Sequence, residues 1–335
     1  MVTLIGPERL RELTPWDQLI DALRCAFREP CHLPERLHFD ISGAGSLLVM
    51  PAWIQNGLLG VKVVQAFPGN SIIGKPTVHG VYMLASAIDG EVYSLIDAQE
   101  LTARRTAATS ALASTFLSRD ASRCLLVMGT GRLAFEVTSA HASVRPIQHV
   151  MIWGRHRDRA ELLASRVSDT LGLHAEPVES LEHALSRADI ISTVTGALDP
   201  ILPGRSLRPG THIDLIGGFT PLMREADDDV MRSANIYVDM LSSALREAGD
   251  ITIPLERGVI DRSDIRGDLF DLCTGRIAKR NSDDAITVFK SLGIALEDLA
   301  AAVLAWNTLQ TQVPSAANAV SSAAESPRGE KAVAQ

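Results

Sequence analysis

The residues Cys124-Leu125-Leu126-Val127-Met128 form an apolar run that ends at Gly129-Thr130-Gly131-Arg132-Leu133-Ala134. Strand, G-x-G-x-x-A turn and helix start make up the dinucleotide-binding fingerprint. The first Gly permits the tight turn, and the second lets backbone N–H groups approach a pyrophosphate at the helix N-terminus. The small third residue lets helix and strand pack closely. A glycine turn between strand and helix also occurs without a cofactor, so the flanking sequence has to decide what this one does.

Downstream, apolar runs at 149–153, 190–194, 212–216 and 236–238 alternate with helical stretches, which predicts a doubly wound parallel sheet. Upstream, strands are expected at 47–53, 58–67, 78–88 and 91–95, with Asp89-Gly90 as a hairpin turn. This block is too irregular for further Rossmann repeats and reads as a separate α+β unit. Thr14, with Pro15 and Asp17, is expected to cap a helix running to Phe27, and Asp97 to cap an Ala-rich helix reaching about Leu117. The segment 282–306 reads as one or two helices returning to the first unit. The chain from about 313 to 335 is small, polar and Pro-containing, and is expected to be disordered. The expected division is therefore 1–117 plus about 300–312 in one domain and 118–299 in the Rossmann domain.

Composition narrows the function. The chain has 335 residues, 46% hydrophobic and 21% charged, as in an ordinary globular protein, and a net charge of −8 gives no footprint for nucleic acid or an anionic membrane. No apolar stretch is long enough to span a bilayer, and the start MVTLIGPERLREL lacks the charged and apolar regions of an export signal. Cys25, Cys31, Cys124 and Cys273 show no C-x-x-C pair and no metal-ligand spacing. They read as reduced thiols of a cytoplasmic protein that needs no metal. His38, His141 and His149 suggest no triad, His79 reads as a structural histidine, and Asp227-Asp228-Asp229 reads as a solvated helix start.

Two regions carry chemistry. At the end of the second Rossmann strand an acidic residue would bind the ribose of NAD, but here the chain reads Gly154-Arg155-His156-Arg157, with no carboxylate before Asp158. Gly154 leaves space and Arg155 can clamp a 2′-phosphate, so NADP(H) is preferred with NAD(H) possible; a solvated basic turn is the plainer alternative. The second region combines Lys62 in an apolar strand, Thr77 after Pro76, and the helix Leu101-Thr102-Ala103-Arg104-Arg105-Thr106. A buried ammonium needs a partner or a polar cavity. Arg104 and Arg105 lie about 100° apart on the helix, so at most one faces a given cleft. A Lys, an Arg and a Thr converging from three elements suit a small carboxylate.

Taken together, GVKVV, PTVHGVYML, LTARRTAATSALA, GTGRLA, ISTVTGA, GGFTPLMREAD, EAGDITIPL and ITVFKSLGIALEDLAAA resemble, in this order, the ornithine cyclodeaminase/mu-crystallin family. The resemblance covers about 47–306. It implies a homodimer whose two chain ends build a substrate and dimerisation domain beside a Rossmann domain, with NAD(P)(H) chemistry on small amino or imino acids. It also implies that Lys62, Thr77 and Arg105, with Arg36 of ERLHFD, hold the substrate carboxylate, Lys62 and Arg105 being catalytic. Gly129, Thr130, Gly131, Arg132, Leu133 and Ala134 match the pyrophosphate turn. Thr193, Thr195 and Gly217 match the cofactor-lining strand ends, and Lys290 and Ser291 the loop closing near the nicotinamide. The two threonines can equally be strand-end hydroxyls bonded to backbone.

The sequence departs from the family at two positions. Leu133 stands where many members carry Gln. Phe219 occupies the position where the cyclodeaminases carry an acid for the distal amine of ornithine, and an aromatic ring neither pairs with an ammonium as a carboxylate does nor acts as a base. The expected activity is therefore reduction of a small cyclic imino acid, with Phe219 in the substrate pocket. The alternatives are an alanine-type dehydrogenase, an ornithine cyclodeaminase using Asp214 or Glu225 as the missing acid, and a non-enzymic NADPH-binding protein. Removing Arg105 is expected to cripple activity at little cost in stability.

Overall fold

The structure is a computed structural model that describes residues 1–41 and 43–312; the expected tail of 313–335 lies outside the described residues. Two sheets organise the chain. The first contains β1 (Thr3–Ile5), β2 (Leu37–Ile41), β3 (Gly45–Trp53), β4 (Leu58–Ala66), β5 (Val78–Ser86) and β6 (Val92–Asp97), in the order β1-β6-β5-β4-β3-β2. It is antiparallel except where β1 joins β6 in parallel. Helices α1 (Pro7–Leu13), α2 (Trp16–Ala26) and the 20-residue α3 (Ala98–Leu117) complete this half of the chain.

The second sheet is wholly parallel. Its strands are β7 (Cys124–Met128), β8 (His149–Trp153), β9 (His174–Pro177), β10 (Ile190–Thr193), β11 (His212–Leu215), β12 (Asn235–Val238), β13 (Ile265–Asp268) and β14 (Thr287–Lys290). Their order, β13-β12-β14-β11-β10-β7-β8-β9, changes direction between β7 and β10. That switch point opens the crevice in which doubly wound sheets bind ligands. The connecting helices are α4 (Arg132–Val144), α5 (Arg157–Leu171), α6 (Leu181–Arg187), α7 (Asp228–Ser233), α8 (Leu241–Glu247), α9 (Gly249–Glu256) and α10 (Leu269–Thr274). The chain ends in α11 (Ala295–Gln312), which packs against α2, α3 and strands β3 and β4.

Strand alternation places the site. In the antiparallel register Leu48, Met50, Lys62, Val64 and Tyr82 share the face covered by helices. Leu37, Phe39, Val63 and Val81 occupy the opposite face, where Leu37, Phe39 and Val81 are exposed. The Ala-rich sequence of α3 lets that helix run almost wholly buried between the two sheets, touching β5 on one side and β11 and β14 on the other. Asp97 caps it as expected, accepting a hydrogen bond from the Glu100 N–H at 2.7 Å. Asp227 likewise caps α7 through the Val230 N–H.

Two local expectations are corrected. Thr14 does not cap α2: its hydroxyl donates back to the Leu10 carbonyl at 2.6 Å and accepts from Arg104 Nε at 2.8 Å. The segment 282–306 is not purely helical. Thr287-Val288-Phe289-Lys290 runs as β14 between β11 and β12 before α11 begins. Its β-branched and aromatic residues are buried on both faces, as a central parallel strand requires. Among the described residues, no helix is long and apolar enough to cross a membrane.

Candidate active site

Between the two sheets lies a cavity of about 590 Å³, lined by side chains from β3, β4, α3, the glycine turn and the loop after β14. Lys62 enters from β4 and Arg105 from α3, both almost wholly buried. Their counter-ions come from the first turn of α11. Lys62 Nζ lies 2.7 Å from Asp298 Oδ2, Arg105 Nε donates to Asp298 Oδ1 at 2.9 Å, and Arg105 Nη1 donates to Glu297 Oε2 at 2.6 Å. Burial, reinforced by the neighbouring Arg105, pulls the Lys62 ammonium down to about 8 against the attraction of Asp298. Burial also pushes the Glu297 carboxyl up to about 7; Arg105 opposes the rise, and Asp239 and Asp298 reinforce it.

The loop after β14 is built around this cluster. Asp239, at the end of β12, accepts from the Leu292 and Gly293 N–H groups at 2.6 and 2.7 Å. Gly293 has φ +78°, and a Cβ there would overlap the Arg105 guanidinium, so only glycine lets the loop lie over that arginine. Arg104 points away, stacking over Trp16 with 4.0 Å to the ring centroid, so one member of the pair faces the cleft.

Of the other candidates, Arg36, Thr77, Arg132, Leu133, Phe219 and Ser291 all line the cavity. Arg36 precedes β2 and pairs with Glu247 of α8 at 2.6 Å, while Arg132 pairs with Glu100 of α3. His79 lies at the rim, exposed rather than buried as a structural histidine would be. Gly129 adopts φ +131°, where a Cβ would press on Val194 at 2.8 Å. A Cβ at Gly131 would meet nothing within 4 Å, so the N-terminus of α4 is open at its cap. Ala134 is fully buried where the helix meets the sheet. Gly154 has a packing role besides leaving room: its Cβ would come 2.6 Å from Thr130 Cγ2. Arg155 is exposed, with no hydrogen-bond or ion-pair partner among the described residues.

Four of the candidate residues, Thr193, Thr195, Gly217 and Lys290, lie behind the cavity instead of on its wall. Thr193 and Thr195 donate their hydroxyls to Glu225, each at 2.7 Å, and the Gly217 N–H donates to the same carboxylate at 2.7 Å. Glu225 thus ties together the loops after β10 and β11. Lys290 is fully buried, its Nζ 3.1 Å from Asp250 Oδ2, and Asp250 in turn accepts from the Glu225 and Ala226 N–H groups. Asp214 is buried under the sheet, accepting from Ser192 at 3.0 Å with His141 Nε2 3.3 Å away. Neither Asp214 nor Glu225 reaches the space beside Phe219, so the missing acid is not replaced from either position.

Sequence reading missed Glu297, Asp298, Asp239 and Gly293. One signal was present: adjacent acids inside the otherwise apolar run Ala295-Leu296-Glu297-Asp298-Leu299-Ala300 must be paired if that helix is buried. The residues present suit a dinucleotide, because the glycine cradle is open at Gly131 and the Ser291 hydroxyl is buried at the cavity wall without a hydrogen-bond partner among the described residues. Among the described residues, no cluster of His, Cys, Asp and Glu is placed to hold a metal ion.

The model of the ornithine cyclodeaminase/mu-crystallin family matches residues 7–312. The chain belongs to that family. It is 44% identical to an uncharacterized protein of Schizosaccharomyces pombe over 90% of this chain and 96% of that one. With the Delta(1)-pyrroline-2-carboxylate reductase of Paracoccus denitrificans it shares 35% identity over 85% of this chain and 90% of that one. Among solved structures, the Delta(1)-pyrroline-2-carboxylate reductase of Thermococcus litoralis, in complex with NADH and L-proline, superposes with a TM-score of 0.89. It is 31% identical, and the match covers 92% of this chain and 98% of that one. An archaeal alanine dehydrogenase dimer with bound NAD superposes with a TM-score of 0.86 at 29% identity, over 94% and 98% of the two chains.

Proposed function

We propose that this family member is an NAD(P)H-dependent reductase of small imino acids, with cyclic imines of the pyrroline-2-carboxylate type as its substrate class. The observation that carries this reading is the cavity wall: Lys62 and Arg105 meet there beside the glycine turn, and among the described residues no Asp or Glu side chain lines it. The relatives named Delta(1)-pyrroline-2-carboxylate reductase support the same assignment. Arg105 and Thr77, with Arg36, hold the substrate carboxylate, and Leu48, Met50 and Val64 give the ring an apolar seat, with the exposed Phe219 ring at its edge. The nicotinamide supplies hydride to the C=N carbon when bound. Lys62 holds a proton at Nζ and delivers it to the substrate nitrogen, so one hydride and one proton convert the imine to the amine. The exposed apolar side chains Leu37, Phe39 and Val81 on the outer face of the first sheet support a homodimer, and four free cysteines agree with a cytoplasmic setting.

The test is an absorbance assay offering Δ1-pyrroline-2-carboxylate, or pyruvate with ammonia, with NADPH or NADH, and ornithine with the oxidised cofactors. The cyclic imine is expected to turn over and ornithine to release no measurable ammonia. The distal ammonium of ornithine finds no carboxylate beside Phe219 on the cavity wall among the described residues. Robust proline and ammonia formation from ornithine would sink the reductase reading. Phe219→Asp would supply the absent acid and is the variant in which weak cyclodeamination is expected to emerge.

NADP(H) is the preferred cofactor in this reading, because exposed Arg155 is unengaged whereas Arg157 already pairs with Glu161 and Glu179. Arg155→Asp is expected to weaken NADPH binding about 10- to 100-fold, the worth of a charged hydrogen-bonded contact, and to leave NADH binding nearly unchanged. Equal dissociation constants for NADPH and NADH in the unmodified protein would refute the preference.

A further inference from the structure

We infer that Glu297 takes up a proton from solvent when a carboxylate ligand docks on Arg105, so that the buried charge cluster accepts the ligand's negative charge without a net change. The inference rests on the proposed carboxylate clamp and extends it to a residue outside that clamp. Glu297 acts through Arg105 and does not line the cavity, so its part is that of a positioning residue.

The geometry of the cluster is nearly closed. Lys62 and Arg105 are faced by Asp298 and Glu297, two cations against two anions, all almost wholly buried. Asp239 adds a third carboxylate, bonded by the Met240, Leu292 and Gly293 N–H groups. Tyr82, on the same sheet face as Lys62, has a buried hydroxyl without a hydrogen-bond partner among the described residues, and its ionisation is disfavoured by burial and by Asp298. A substrate carboxylate on Arg105 would therefore be one more anion in a space that is already compensated, and an uncompensated buried charge is costly.

The most easily neutralised of these groups is Glu297. Asp298 is shared by both cations, and Asp239 is fixed by three backbone donors. Glu297 is bound on one side only: Oε2 accepts from Arg105, while the buried Oε1 has no hydrogen-bond partner among the described residues. Burial has already raised this carboxyl to about 7, with Asp239 and Asp298 adding to the rise and Arg105 opposing it. A further anion on Arg105 weakens that opposition and moves the carboxyl higher. By linkage, a carboxyl that titrates at about 7 in the free protein and well above it in the complex takes up about half a proton at pH 7. Lys62, pulled down to about 8, is already mostly protonated at that pH and contributes little.

The experiment is isothermal titration calorimetry of the NADPH-loaded protein with furan-2-carboxylate, a planar ring carboxylate with no titrating nitrogen. Buffers of differing ionisation enthalpy then report the protons exchanged per ligand bound. The unmodified protein is expected to take up about half a proton at pH 7 and almost none at pH 5, where Glu297 is already protonated before binding. Glu297→Gln is expected to bind the ligand at pH 7 with no uptake. Binding without uptake in the unmodified protein at pH 7 would overturn the inference and leave the clamp standing, as would undiminished uptake in Glu297→Gln. Absence of binding would overturn the clamp and the inference with it. The pH dependence of the unmodified protein decides the matter even if the variant does not fold.

Discussion

Replacing Lys62 by Met is expected to lower kcat/KM for imine reduction by about a hundred- to ten-thousand-fold, the usual contribution of a positioned acid. The same change is expected to remove one limb of the pH profile. Lys62 is held down to about 8 by burial and by Arg105, so it carries its proton at neutral pH and loses it above about 8. As the proposed proton donor in the reductive direction it is expected to keep the rate level below that pH and let it fall about tenfold per unit above. In the oxidative direction the neutral amine is the required form, and the rate rises through the same range. Stopped-flow or steady-state rates from pH 6 to 10 in both directions check the sign. A reductive limb near pH 8 that persists unchanged in a folded Lys62→Met protein would assign the proton to another group.

Lys62 also shows how far the sequence could be read. An ammonium in the apolar strand Gly60-Val61-Lys62-Val63-Val64 had to face a polar space, and strand alternation then fixed which face that was. The glycine turn, the Asp97 cap and the choice of one arginine from an adjacent pair were legible for the same reason: each is a local constraint of backbone geometry or helix periodicity. What pairs with a buried cation is a tertiary fact. Glu297 and Asp298 lie more than 190 positions after Arg105, and nothing local to either segment announces the contact. The strand at Thr287–Lys290 was obscured for a related reason, since a short apolar run beside a helical sequence does not reveal whether it is covered on one face or both. The side chains of Lys290 and the two threonines turn to Asp250 and Glu225, and Glu225 ties together the loops after β10 and β11.

Arg105→Ala is expected to destabilise the protein by about 3–5 kcal/mol as well as to cripple turnover, because breaking one member of a buried charge cluster leaves its partners uncompensated. From the sequence alone the residue looked like a contact made to substrate only, and its removal looked structurally cheap. In the structure the guanidinium is the sole hydrogen-bonding partner of Glu297 among the described side chains and one of two cations on Asp298. Without it, two fully buried carboxylates face a single lysine. A loss of that size is a large fraction of the stability of an ordinary domain, so the urea midpoint is expected to fall visibly. Binding and stability can be separated by a second variant. Arg105→Met with Glu297→Gln removes one buried cation and one buried anion together, and is expected to recover much of the midpoint while kcat/KM for the imine stays low. If Arg105→Ala keeps the midpoint of the unmodified protein, the carboxylates are not held by Arg105. If instead the double variant regains activity along with stability, the arginine serves the fold, and the substrate carboxylate is bound elsewhere, with Arg36 the first residue to test.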